Sequence, residues 1–167
     1  PGFIFLWCLG AQRKGMVINM KIQTKYFGEL NIDDSTTLRF SDGLFGFEQE
    51  KEFVLLSFSK EEDFLLCLQS VTTPFLAFTL LNPFMVMPEY RPVLPQEELQ
   101  RLGVDQSEDL CYYVLCRVEN PVSKSTVNLR CPVVLNDQTR QARQVILDEY
   151  EMRCPLSSLR KKDDGAC

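Results

Sequence analysis

Apolar residues in this chain come in short runs, and nearly every run ends at a proline, glycine, asparagine, aspartate or serine. That punctuation leaves little room for long helices and favours a protein built from many short strands. Thr126 to Cys131 in "STVNLRC" gives the clearest signal. Val127, Leu129 and Cys131 point one way and Thr126, Asn128 and Arg130 the other, the period of a half-buried strand. "LCYYVLCRVE" (Leu110 to Glu119) places Leu110, Tyr112, Val114, Cys116 and Val118 on one face. With "NPVS" as a turn, it should form an antiparallel hairpin with the strand over 125–131. "EFVLLSF" (Glu52 to Phe58) and "FLLCLQ" (Phe64 to Gln69) are apolar on both faces, as in strands inside a sandwich or barrel, and the charged "SKEEDF" between them reads as a hairpin loop. "MKIQTKYFGELNI" is strand-rich with a turn or bulge at Gly28. "DDSTT" is a turn before "TLRF", and "FLAFTLL" is followed by "NPF". Arg143 to Asp148 is favoured as strand for its β-branched Val145 and Ile146.

One helix is expected, near 95–102. In "LPQEELQRLG", Pro95 sits at the first turn, Glu97 and Glu98 suit the positive helix end, and Gly103 ends it, with Leu99 and Leu102 buried. The fold expected is all-β, mostly antiparallel, a small barrel-like single domain over residues 20–157. Residues 1–19 read as an N-terminal extension or an appended leader, with a natural start at Met16 or Met20, and residues 158–167 as a polar C-terminal tail. Phe3 to Leu9 is an apolar run of 7 residues, far short of the roughly 20 needed to cross a bilayer, and it lacks the basic leader of a signal peptide. No membrane partner is expected.

Composition removes whole classes of chemistry. The chain has no histidine, so serine or cysteine triads and histidine metal sites are out of reach. A net charge of -5 without a Lys/Arg stripe speaks against direct nucleic-acid binding. The cysteines, 7 in number, show no C-x-x-C spacing and read as buried reduced thiols of a cytoplasmic protein. Cys111 and Cys116 lie an odd number of residues apart on a strand, so they face opposite ways. Glu61-Glu62-Asp63 and Glu97-Glu98 are solvated faces rather than catalytic pairs. Neither an enzyme nor a cofactor is indicated.

"SDGLFGFEQE" carries two glycines three apart, yet lacks the lysine of a phosphate loop. Two readings of it stand open. Gly43 and Gly46 make a tight turn whose Leu44, Phe45 and Phe47 cap one end of a barrel, or these aromatics form an exposed patch that meets a partner. "SVTTPFLAFTLLNPFMVMPEY" (Ser70 to Tyr90) holds more hydrophobe than a small barrel needs along one short path. Phe75, Phe78, Asn82, Phe84 and Tyr90 are therefore candidates for an apolar docking surface, with Glu48, Glu89 and Asp109 as acidic candidates for a basic partner.

The order of these pieces resembles the flagellar assembly factor FliW family, from about Met20 to Leu156. The resemblance rests on "TKYFGEL", "GLFGFE" followed by "FVLL", "LQSVTTPFLAFTLLNPF", "LGV", and "STVNLRCPVVLN" ending in "YEMRCPL". It implies a barrel-like cytoplasmic protein without enzymatic activity that binds flagellin near its C-terminal end and also the translational repressor CsrA. Exchange between those partners would relieve repression of flagellin synthesis. The alternative is a small-ligand or flavin-binding split barrel, with the aromatic residues lining a pocket.

Overall fold

The computed structural model of the chain describes residues 18–59 and 64–159. The described residues open with a hairpin of β1 (Asn19–Thr24) and β2 (Gly28–Asp33), Gly28 taking the left-handed conformation (φ 68°) at the turn. Then follow β3 (Leu38–Phe40), β4 (Glu52–Ser57), β5 (Leu65–Ser70) and β6 (Ala77–Leu81). Two helices, α1 (Pro83–Val86) and α2 (Gln96–Leu102), lead to β7 (Cys111–Arg117). The chain continues through β8 (Thr126–Val127), β9 (Val133–Leu135), β10 (Gln141–Gln144), β11 (Cys154–Pro155) and α3 (Leu156–Leu159).

Seven strands close on themselves in the order β7-β6-β5-β4-β3-β10-β9, and β9 returns to pair with β7. All neighbours are antiparallel except β3 and β10, which run parallel through Arg39 and Phe40. The expected mostly antiparallel barrel is therefore the observed one. Strand alternation sends one set of side chains inward. Leu38, Phe40, Leu44, Phe53, Leu66, Leu68, Leu80, Val133, Leu135 and Ala142 fill the barrel axis. Each such large side chain removed from water contributes about 1.5–3 kcal/mol.

The outward faces are covered in two places. The β1–β2 hairpin lays Ile22, Leu30 and Ile32 on Val54, Leu56 and Cys67 of β4 and β5. On the other side α1, α2 and the C-terminal segments cover Leu81, Tyr112, Val114 and Cys116. Helix α2 is the expected one, with Leu99 and Leu102 buried and Gly103 left-handed at its end, although Pro95 stands at the cap rather than inside. Arg143 anchors it to the barrel, its Nε donating to Glu98 Oε2 at 2.6 Å and its Nη1 to Asp42 Oδ2 at 2.6 Å. Cys111 packs toward the barrel axis and Cys116 toward the outer cluster, so the two do face opposite ways. Cys67, Cys116, Cys131 and Cys154 are buried free thiols, while Cys111 is only half-buried. Burial pushes the Cys67 thiol up to about 11.

Four expectations need correction. The strand over 125–131 shrinks to Thr126–Val127, because the amides of Leu129 and Arg130 turn away to the carbonyl of Glu151. The burial alternation of Val127, Leu129 and Cys131 survives without a ladder. Val118 lies past the end of β7 and is exposed. The strand placed at Arg143–Asp148 sits earlier, at Gln141–Gln144, where pairing to β3 is available, and the chain then leaves the sheet as Val145 and Leu147 donate to Pro132 and Arg130. α1 and α3 add single helical turns to the one helix expected, α1 being capped by Asn82, whose side chain accepts the Phe84 amide. The loop over 60–63, most of the 1–19 segment and residues 160–167 lie outside the described residues.

Gly43 and Gly46 both have positive φ, 74° and 82°. A Cβ on Gly43 would meet the backbone of Phe47 and Glu48 at 2.7 Å, whereas one on Gly46 would enter open space. Gly43→Ala should cost at least about 2 kcal/mol and Gly46→Ala about 1 kcal/mol. Urea unfolding checks the pair, and equal losses would contradict the close approach at Gly43.

Candidate functional site

The sequence-selected residues fall into two groups. At one mouth of the barrel the "GLFG" turn folds over the interior. Leu44 is buried among the axial side chains and bridges to Phe47. The Phe47 ring stands edge-on to Phe78 with centroids 5.1 Å apart, and Phe78 leans on buried Phe53 at 6.3 Å. Phe47 and Phe45 remain 40% and 50% exposed. Turn and aromatic surface are thus one object: Leu44 plugs the mouth while Phe45 and Phe47 present rings outward. The Phe45 amide donates to buried Gln144 Oε1 at 2.9 Å, which fixes the turn to β10. Exposed Glu48 accepts the Gly46 amide at 2.9 Å, and this bond holds its carboxyl below the usual range.

Phe75 joins this mouth through the β5–β6 turn. Buried Gln69 places its side-chain NH2, with two hydrogens to donate, within hydrogen-bond distance of the carbonyls of Ser70, Thr73, Pro74 and Leu76, and its Oε1 accepts the Lys25 amide at 2.9 Å. Glu50 accepts from the hydroxyls of Thr73, Ser70 and Thr72 and ties the turn to the segment after Phe47. Held this way, Phe75 is 84% exposed. So large an apolar ring kept in water on a braced turn is a feature of contact surfaces rather than of cores.

The second group lies on the helix-covered face. Phe84 packs edge-on against Tyr90 and Tyr112, with centroids at 5.8 and 6.2 Å, and is 38% exposed. Met85 beside it is exposed, and Asn82 serves as the helix cap. Glu89 and Asp109 are exposed near the same surface, Asp109 on a one-turn helix whose Ser107 carbonyl accepts the Tyr112 hydroxyl at 2.9 Å. Tyr90 does not belong to the surface. It is fully buried, its hydroxyl donates to Leu129 O at 2.9 Å, and burial raises its pKa above the normal range. It supports Phe84 from beneath.

Two surface features had no signature in the sequence. Tyr26 and Phe27 pack on Phe58 with centroids 5.6 and 5.5 Å away, leaving Tyr26 and Phe58 largely exposed beside Lys25. An open groove of about 460 Å³ also runs between the ends of β6 and β7, flanked by Met152 and Arg153. Both depend on chain segments that meet only after folding. Among the described residues no group of three acidic or cysteine side chains converges as a metal site, and no helix is long and apolar enough to cross a membrane.

Known proteins of the same design exist. A family model described as FliW protein matches residues 21–156. The chain is 41% identical to the flagellar assembly factor FliW of Geobacillus sp. (strain WCH70) over 128 residues, covering 77% of this chain and 88% of that protein. It is 34% identical to that of Lachnospira eligens over 151 residues, covering 87% of this chain and 100% of the other. A crystal structure of the flagellar assembly factor FliW superposes with a TM-score of 0.75 at 37% identity, covering 82% of this chain and 96% of that one.

The Glu50 brace gives a pH prediction. Hydrogen bonds from Thr73, Ser70 and Thr72 lower its pKa from 4.5, so the ionised form stabilises the fold above that pH and the benefit fades as pH falls through the lowered value. Glu50→Gln should lose about 1 kcal/mol at neutral pH, and the gap to the parent should narrow below about pH 4.5. Thermal unfolding across pH reads this, and a gap constant down to pH 3 would contradict it.

Proposed function

Since the chain belongs to the FliW family of flagellar assembly factors, we propose that it acts by exchanging two protein partners, flagellin and the translational repressor CsrA. It binds flagellin through flagellin's C-terminal region, and it binds CsrA when flagellin has left. CsrA so held no longer represses flagellin synthesis. The protein works in the cytoplasm as a binding protein, without catalysis and without a cofactor.

The observation that carries this reading is the braced aromatic mouth. Phe45, Phe47 and Phe75 are held outward by Gln144, Phe78, Gln69 and Glu50, which costs little further ordering when a partner arrives. An amphipathic flagellin segment would bury its apolar face there, with Phe84 and Met85 as a second apolar contact. A net charge of -5 suits a basic RNA-binding partner and gives no competition for its RNA. Glu48, Glu89 and Asp109 are exposed carboxylates available to such a partner. The small-ligand or flavin reading is less favoured, because side chains fill the barrel axis.

Calorimetric titration against purified flagellin and purified CsrA, separately and together, tests the exchange. Each should bind alone, and saturating flagellin should suppress CsrA binding. Full binding of both at once would end the exchange model. Phe75→Ala should weaken flagellin binding by about tenfold or more with an unchanged folded spectrum, and unaltered affinity would remove the aromatic mouth from the interface.

A further inference from the structure

The β6–β7 seam of the barrel is only half closed. Pairing covers Leu80 with Leu115 and Leu81 with Val114, and stops there. The Ser70 amide donates to Leu76 O at 3.0 Å, and strand alternation then turns the backbone groups of Phe78 and Leu80 toward β5 and those of Ala77 and Thr79 toward β7. At Ala77 no strand stands on that side. β7 meanwhile spends its far end on β8, through Cys116 with Val127 and Arg117 with Thr126. The splayed ends leave the groove of about 460 Å³, with a strand edge along one wall.

We propose that this groove receives an extended, acidic peptide segment of a protein partner, which adds as a strand along Ala77–Thr79. The backbone edge supplies the recognition of an extended chain, since an unpaired edge offers a row of hydrogen-bonding groups that another strand completes. Charge selects the peptide. On a chain of net charge -5, the groove lining holds Arg117 and Arg153 and no carboxylate. Arg153 makes no ion pair among the described residues, while exposed Arg117 holds half-buried Glu119 at 2.7 Å and would exchange it for a peptide carboxylate. Exposed Met152 offers a deformable apolar contact for the alternate side chains of the incoming strand. The groove shares Phe78 with the aromatic mouth, where that ring packs on Phe47, but the backbone edge at Ala77–Thr79 carries the proposal whichever protein the rings meet.

The probe is a fluorescein-labelled peptide of about eight residues alternating valine and glutamate, a typical strand length, titrated against the full chain by fluorescence anisotropy. It should bind, lose affinity as salt is raised, and bind about tenfold more weakly to the double variant Arg117→Glu with Arg153→Glu, whose circular dichroism stays unchanged. A peptide with lysine replacing glutamate, and one N-methylated at every second residue, should each bind much more weakly. In NMR hydrogen exchange the Ala77 amide should become protected by the glutamate peptide. Absence of binding, equal binding of the lysine or N-methylated peptide, an unweakened double variant, or an unprotected Ala77 amide would each overturn the proposal.

Discussion

Everything in this fold depends on β7 pairing with both β6 and β9. Its first half pairs with β9 and its centre with β6, and those two contacts turn an open sheet into a closed one. Closure fixes the volume inside, and that volume is filled by a compact set of leucines, valines and phenylalanines. It also determines what is left over. Strand alternation that points half the side chains inward must point the rest outward, and a seven-stranded barrel of this size cannot expose so many apolar residues. The hairpin and the helical covers answer that need on opposite sides.

The same arrangement explains how aromatic rings can stay at the surface in fixed positions. The mouth beside the "GLFG" turn is braced by groups with no apolar alternative. Gln69 offers its two side-chain N–H groups to the carbonyls of the β5–β6 turn and accepts one amide from a buried position, Glu50 gathers three hydroxyls, and Gln144 holds the Phe45 amide. Removing Glu50 leaves the buried Ser70 hydroxyl without that acceptor, which costs more than the bond itself. Rigidity at the rim is therefore a property of polar groups, while the rings they orient are apolar.

Sequence reasoning reached the elements whose signals are local. The turn at Gly28, helix α2 with its glycine cap, and the doubly apolar β4 and β5 are all set by neighbours within a few residues. It failed where pairing depended on distant chain. Val127, Leu129 and Cys131 alternate because they alternate in burial, but the Glu151 carbonyl rather than a strand receives two of the intervening amides. β10 lies where β3 can accept it, not where its β-branched residues are densest. At the candidate site the aromatic surplus was visible and its sorting was not. Phe75 and Tyr90 are equally conspicuous in the sequence, yet one stands in water and the other is enclosed, a difference made by the turn that Gln69 and Glu50 hold and by the segment carrying Leu129. The groove at the β6–β7 seam arises from two strands parting company and has no local pattern at all.

The β1–β2 hairpin carries a further consequence. Its strands pair with each other and form a sheet of their own, and it rests on the barrel through Ile22, Leu30 and Ile32. A two-stranded ribbon is barely stable in isolation, so its order is borrowed from the surface beneath it. The barrel, by contrast, closes through its own ladder. The chain thus holds two tiers of contact, an inner ring closed by its own ladder and an outer ribbon whose order depends on Ile22, Leu30, Ile32 and the Lys25 amide bond to Gln69.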